Sequence, residues 1–158
     1  MRNYLFVGTE TDIDIDRILQ EASLRMAELG VDVGPHELTT SRSTRDGGET
    51  QIHGYLPKNV SVDILFKNVD TNISISQYET EIIPGYSIIL EQFTICVSVW
   101  TGAETSYEAL TACIAAAIAA STGKKILDSE HKWSPDDLNG VDDFMEHVKI
   151  RFPQPTKE

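Results

Sequence analysis

The residues best equipped to act as ligands or acid–base groups cluster late in the chain, at Asp128-Ser129-Glu130-His131. Two carboxylates and an imidazole within four positions could build a metal or proton-transfer site together with His36, His53 or His147. That chemistry needs spacing as well as residue types. No His-x-His or His-Glu-x-x-His pattern is present, so no ligand set is fixed by the order of the residues. Asp12-Ile13-Asp14-Ile15-Asp16 begins like a calcium loop. Arg17 then stands where such a loop needs glycine, and Ser23 where it needs its closing glutamate. Carboxylates at the start of a helix favour its dipole without any metal.

Nucleophilic and phosphate chemistry find less support. There is no Gly-x-Ser-x-Gly elbow, and Cys96 and Cys113 sit among apolar or small residues that favour buried, inert thiols. Gly123-Lys124-Lys125 follows a helix, whereas a phosphate-binding loop precedes one. Arg42 and Arg45, with Ser41, Ser43 and Thr44, could clasp an anion, but residues 41–54 are polar, aperiodic and read as a long loop. The expectation is therefore no catalytic residue, no metal and no cofactor. The alternative is a small cytosolic enzyme or a ligand- or metal-binding protein that uses the 128–131 segment.

Charge is more informative than any motif. The chain has 158 residues, with 25 Asp and Glu against 13 Lys and Arg, for a formal charge of -12. A surface of that sign repels nucleic acid and anionic membranes and attracts basic partners. The acids are also concentrated. Between residues 128 and 148 stand Asp128, Glu130, Asp136, Asp137, Asp142, Asp143 and Glu146, opposed by Lys132 alone. A second acidic stretch runs from Glu10 to Glu28, with Arg17 and Arg25 as its only cations. Trp133 and Phe144 lie within the first stretch, and acidic groups around an aromatic anchor suit the docking of a basic protein. The contact surface expected from this pattern is Asp128, Glu130, Asp136, Asp137, Asp142 and Asp143, with Trp133 as the anchor.

The elements that would carry these residues follow from periodicity. Phe93, Ile95, Val97 and Val99 alternate with Thr94, Cys96, Ser98 and Trp100, the period-two pattern of a strand with one face in the core. Thr105-Ser106-Tyr107-Glu108 fits a capping box. The Ala-rich helix it opens carries Tyr107, Leu110, Ile114 and Ile118 on one stripe and stops at Gly123. Ile15, Ile18, Leu19, Ala22, Met26 and Leu29 trace an earlier helix that Gly30 ends. Strands are expected at 4–7, 31–33, 37–40, 61–67, 71–78, 86–90 and 125–128, with 61–67 and 71–78 paired as a hairpin. A terminal helix should open at Ser134-Pro135 and carry Val141, Phe144, Met145 and Val148. The fold class is thus α+β, a mainly antiparallel sheet with the N- and C-terminal helices packed on one face. One domain over 1–152 and a loose tail at 153–158 complete the expectation. The apolar run at the N-terminus is too short for a signal peptide, and no stretch reaches transmembrane length, so the expected location is the cytoplasm.

In size, acidity, scarcity of cysteine and lack of a catalytic signature, the sequence resembles the small α+β immunity proteins of bacterial contact-dependent inhibition and polymorphic toxin systems. The Ala-rich helix running into Gly123-Lys124-Lys125-Ile126-Leu127-Asp128-Ser129-Glu130-His131-Lys132-Trp133 carries part of that profile. The resemblance implies a cytoplasmic protein that binds one cognate toxin domain, such as a basic nuclease, and blocks it. It transfers no binding residue, and the sequence sets no oligomeric state.

Overall fold

The computed structural model describes residues 2–10, 12–31, 36–40, 61–66, 72–80, 90–100 and 105–152. In chain order the elements are β1 (Arg2–Thr9), α1 (Ile15–Glu28), β2 (His36–Thr40), β3 (Ser61–Phe66), β4 (Asn72–Glu79) and β5 (Phe93–Trp100). Then follow α2 (Thr105–Thr122), β6 (Ile126–Leu127), β7 (Leu138–Asn139) and α3 (Val141–Arg151). The strands form one sheet of order β2-β3-β4-β5-β1-β6-β7, with every described pairing antiparallel. The α+β class is as expected.

Register turns one face of this sheet inward. Leu5 lies opposite Val97 and Val7 opposite Ile95; Ile73 and Ile75 lie opposite Val99 and Val97. Val62 and Ile64 extend the same face, opposite Ile75 and Ile73. All of these side chains are buried in one cluster that also takes residues from α1, α2 and α3. Each fully buried aliphatic side chain contributes about 1.5–3 kcal/mol, so this face and the helices on it hold the fold together.

The helix α2 lies at the centre of that layer. Strands β5 and β6 flank β1 and run parallel to each other, and α2 joins them across the sheet. Its residues from Ala109 to Ala119 are all buried. The single apolar stripe read from the sequence underestimates this burial, because α1 and α3 pack against α2 from beside the sheet. A helix that is apolar all round belongs in a core, and alanine lets three neighbours approach its backbone closely. At its start, the Tyr107 ring meets Phe66 of β3 with centroids 4.6 Å apart. Gly123, at φ 69°, ends it, and the Lys124 amide donates back to the Ala119 carbonyl. Gly30, at φ 82°, ends α1 in the same way, with the Val31 amide donating to Met26.

Several expectations shift. Glu108, read as the return half of a capping box, is engaged by Lys132 and Asn3; Thr105, read as the cap, is the first residue of α2, and residues 101–104 before it lie outside the described residues. The terminal helix begins at Val141 behind Gly140, six residues after Pro135. The reason is tertiary: Ser134 Oγ donates to Asn139 Oδ1 at 2.6 Å and accepts from the Asp136 amide at 3.1 Å, while Asn139 pairs with Ile126 in the sheet. The strand expected at 125–128 is only Ile126–Leu127. Val31 is not in a strand and Leu90 lies in a bend; 32–33, 41–54, 86–89 and the tail 153–158 fall outside the described residues.

Candidate partner-docking surface

Sheet and helix meet the acidic segment where β6 stops. Asp128, the residue after Leu127, is fully buried. Its Oδ1 accepts from the Lys132 amide at 3.0 Å, and its Oδ2 accepts from Trp133 and Ser134 at 2.8 and 3.1 Å. The Asp128 amide donates to the Asp137 carbonyl at 2.7 Å, and the His131 amide donates to the Asp128 carbonyl at 3.1 Å. His131 sits at φ 53° to close this turn. A short carboxylate surrounded by amides pointing inward is how a loop satisfies its backbone without a ladder.

Long side chains then anchor the loop to the rest of the molecule. Lys132 Nζ lies 2.6 Å from Glu108 Oε2 on α2, and Asn3 Nδ2 of β1 donates to that same oxygen at 3.3 Å. Arg151 Nη1 donates to the Lys132 carbonyl at 3.2 Å, tying the end of α3 to the loop. Glu130 Oε1 accepts from the Tyr4 amide at 3.1 Å. That amide lies beyond the two-residue pairing of β1 with β6, so the glutamate satisfies a strand edge that β6 is too short to cover.

The structure therefore divides the expected contact residues. Asp128 and Trp133 are interior, with Trp133 4% exposed and packed in the main core. They build the loop and cannot touch a partner, which corrects the role read for both from the sequence. Glu130, Asp136, Asp137, Asp142 and Asp143 are exposed. Asp137 Oδ1 lies 2.5 Å from His131 Nε2. Asp142 and Asp143 occupy the first turn of α3, and Lys149 and Arg151 its last, the arrangement that the helix dipole favours. Among the described residues, no cation pairs with Asp136, Asp142, Asp143 or Glu146.

The other charged features are committed locally. Asp14 caps α1, accepting from the Arg17 amide at 3.3 Å, and with Asp12, Arg17 and Glu21 it lines a groove of about 530 Å³ beside Ala120 and Ser121 of α2. Lys124 Nζ lies 2.7 Å from Glu91 Oε1, a contact that raises the ammonium pKa and lowers that of the carboxylate. Burial pushes the Cys113 thiol up to about 12 and raises the Tyr78 hydroxyl well above its ordinary range. Among the described residues no group of three or more His, Cys, Asp or Glu is placed to hold a metal, and no helix is long and apolar enough to cross a membrane.

Two exposed aromatic residues lie outside the acidic segment. Tyr4 is 40% exposed and Trp100 is 48% exposed. Both stand on the outward side of alternating strands, and that position in the pattern was their available signal. Comparison with protein-family models, curated proteins and solved structures finds no match to this chain.

Proposed function

We propose that this chain is an immunity protein that binds a cognate bacterial toxin domain and neutralises it through an acidic surface. The observation that carries the reading is the exposure of Glu130, Asp136, Asp137, Asp142 and Asp143 around a loop whose backbone is internally satisfied. Carboxylates on a fixed frame attract a basic protein at long range and bind it without a large ordering cost. A basic nuclease fits this surface best, because carboxylates can occupy the positions its phosphate-binding cations hold ready. The proposed setting is the cytoplasm, where such a toxin would act.

Catalysis at the 128–131 segment is the weaker reading, since both Asp128 oxygens accept amide hydrogens of the loop itself. Affinity capture at low and high salt, followed by co-expression with the captured protein, tests the proposal. A single basic partner is expected, weakened by salt, whose toxicity this chain suppresses. Charge reversal at Asp136, Asp142 and Asp143 together should abolish protection; unchanged affinity in that variant would sink the idea.

A further inference from the structure

We propose that the exposed face of α3 docks an amphipathic basic helix of the partner protein, with Ile150 as apolar anchor and Asp142, Asp143 and Glu146 as charge partners; this deepens the immunity reading and rests on it. Helical spacing makes the face. Asp142, Glu146 and Ile150 follow one another at intervals of one turn, so they form a single ridge along α3, about 12 Å from end to end at the rise of an α-helix. Asp143 stands on the adjoining row, and all four residues are exposed. The other side of the helix is fixed. Phe144, Val148 and Phe152 are buried in the core cluster, and Arg151 Nη1 donates to the Lys132 carbonyl at 3.2 Å.

Two independent properties meet on this ridge. Ile150 is 77% exposed, more than any other large hydrophobic residue among those described. Covering such a side chain is favourable, and nothing within α3 does so. Asp142 and Asp143 suit the start of a helix by themselves, but Glu146 lies beyond the first turn, where the dipole gives it no role. Among the described residues none of the three acids has a cation partner. Leu24, the other large apolar residue exposed on a helix, has different surroundings. Glu21, one turn before it, is already paired with Arg25 at 3.7 Å, so α1 offers a partner less uncompensated charge.

Charge selects the occupant. A second copy of a chain of formal charge -12 would set like acids against one another, whereas a cationic partner complements them. Lys149, in the last turn beside the ridge, sets the direction. A helix laid antiparallel brings its first turn, where acids are favoured, to Lys149 and Ile150. Its later turns then reach Glu146, Asp142 and Asp143. The partner segment is a helix with an apolar residue early and arginine or lysine one and two turns after it. The anchor sought at buried Trp133 is thus supplied by Ile150.

The test titrates the full chain with a helical peptide that carries leucine early and arginine one and two turns later. A peptide of the same composition in scrambled order is the control, and amide and methyl NMR resonances are followed. The ordered peptide is expected to shift the Ile150 methyl signals and the amides of residues 142–150, leave the Trp133 indole unmoved, and bind more tightly than the control. Ile150→Ser, which changes no charge, and Glu146→Lys should each weaken it by about tenfold with unchanged circular dichroism. Shifts confined to residues 130–137 would overturn this docking face while leaving the acidic-surface reading intact. Equal binding of both peptides, unaffected by Ile150→Ser, would reduce the face to diffuse charge attraction and overturn the inference alone. Absence of any shift would overturn both. Broadening of the Ile150 signals with protein concentration alone would assign the ridge to a second copy of the chain and overturn the inference as well.

Discussion

Asp128 Oδ2 accepts the Trp133 amide hydrogen at 2.8 Å, five residues along the chain and inside the protein. The carboxylate takes two more amide hydrogens, from Lys132 and Ser134. Hydrogen bonds to a charged group are worth about 1.5–3 kcal/mol each, and buried donors left without an acceptor cost more than the bond itself returns. Asp128→Ala is expected to lose about 3–5 kcal/mol in urea unfolding, with Asp128→Asn intermediate because one oxygen survives. An exposed contact residue would show the opposite pattern, a loss of partner affinity with stability unchanged.

Gly8 tests the passage of the 90–92 segment over β1. A Cβ at this position would lie 2.6 Å from the Glu91 backbone nitrogen, which cannot swing aside as a side-chain tip can. Gly8→Ala is expected to destabilise by about 1–3 kcal/mol. Gly140 supplies the contrast: it is the N-cap of α3, and nothing lies within 4 Å of an added Cβ. Gly140→Ser is expected to be neutral or stabilising by a few tenths of a kcal/mol, roughly the gain from a side-chain cap. Thermal unfolding of the two variants side by side measures both effects.

The enclosure of α2 makes its alanines intolerant of size. Ala116 is fully buried between the sheet and the flanking helices. Ala116→Leu is expected to cost about 1–3 kcal/mol or more through overpacking. Leucine at Ala120, which is exposed on the same helix, should cost little. If α2 instead lay on the sheet with only one stripe covered, some of the alanines between 109 and 119 would accept leucine without loss.

Alkaline pH should weaken the fold through Cys113. Its thiol is raised from 9.0 to about 12 by burial. A group whose folded pKa lies above its unfolded value stabilises the fold fully below the unfolded pKa, and that contribution is lost as pH rises toward the folded one. The decline should therefore begin near pH 9 and continue toward 12. Cys113→Ala is expected to flatten that limb of the stability–pH curve relative to the unmodified chain. Alkylation at pH 8 should be slow until denaturant is added, since the neutral, buried thiol is a poor nucleophile.

The sequence by itself determined the elements whose signals are local. Alternation over Phe93–Trp100 marked β5 to the residue, and the apolar stripe from Ile15 to Leu29 marked α1. Gly30 and Gly123 announced two helix ends because only a residue without a Cβ enters the left-handed region freely. The antiparallel α+β class followed from the order of those elements. What only the tertiary structure decided depends on residues distant in the chain. Ser134-Pro135 has the local chemistry of a helix start, yet the pairing of Asn139 with Ile126 holds Ser134 in a loop and delays α3 to Val141. Glu108 has the local chemistry of a cap, but its partners are Lys132 and Asn3, which meet it only once β1 and the loop after β6 come together. The same assembly separated the acidic segment into interior and surface. Composition records that Asp128, Trp133 and Asp142 are acidic or aromatic; burial, which is a property of the packed chain, placed the first two inside and left the third in water.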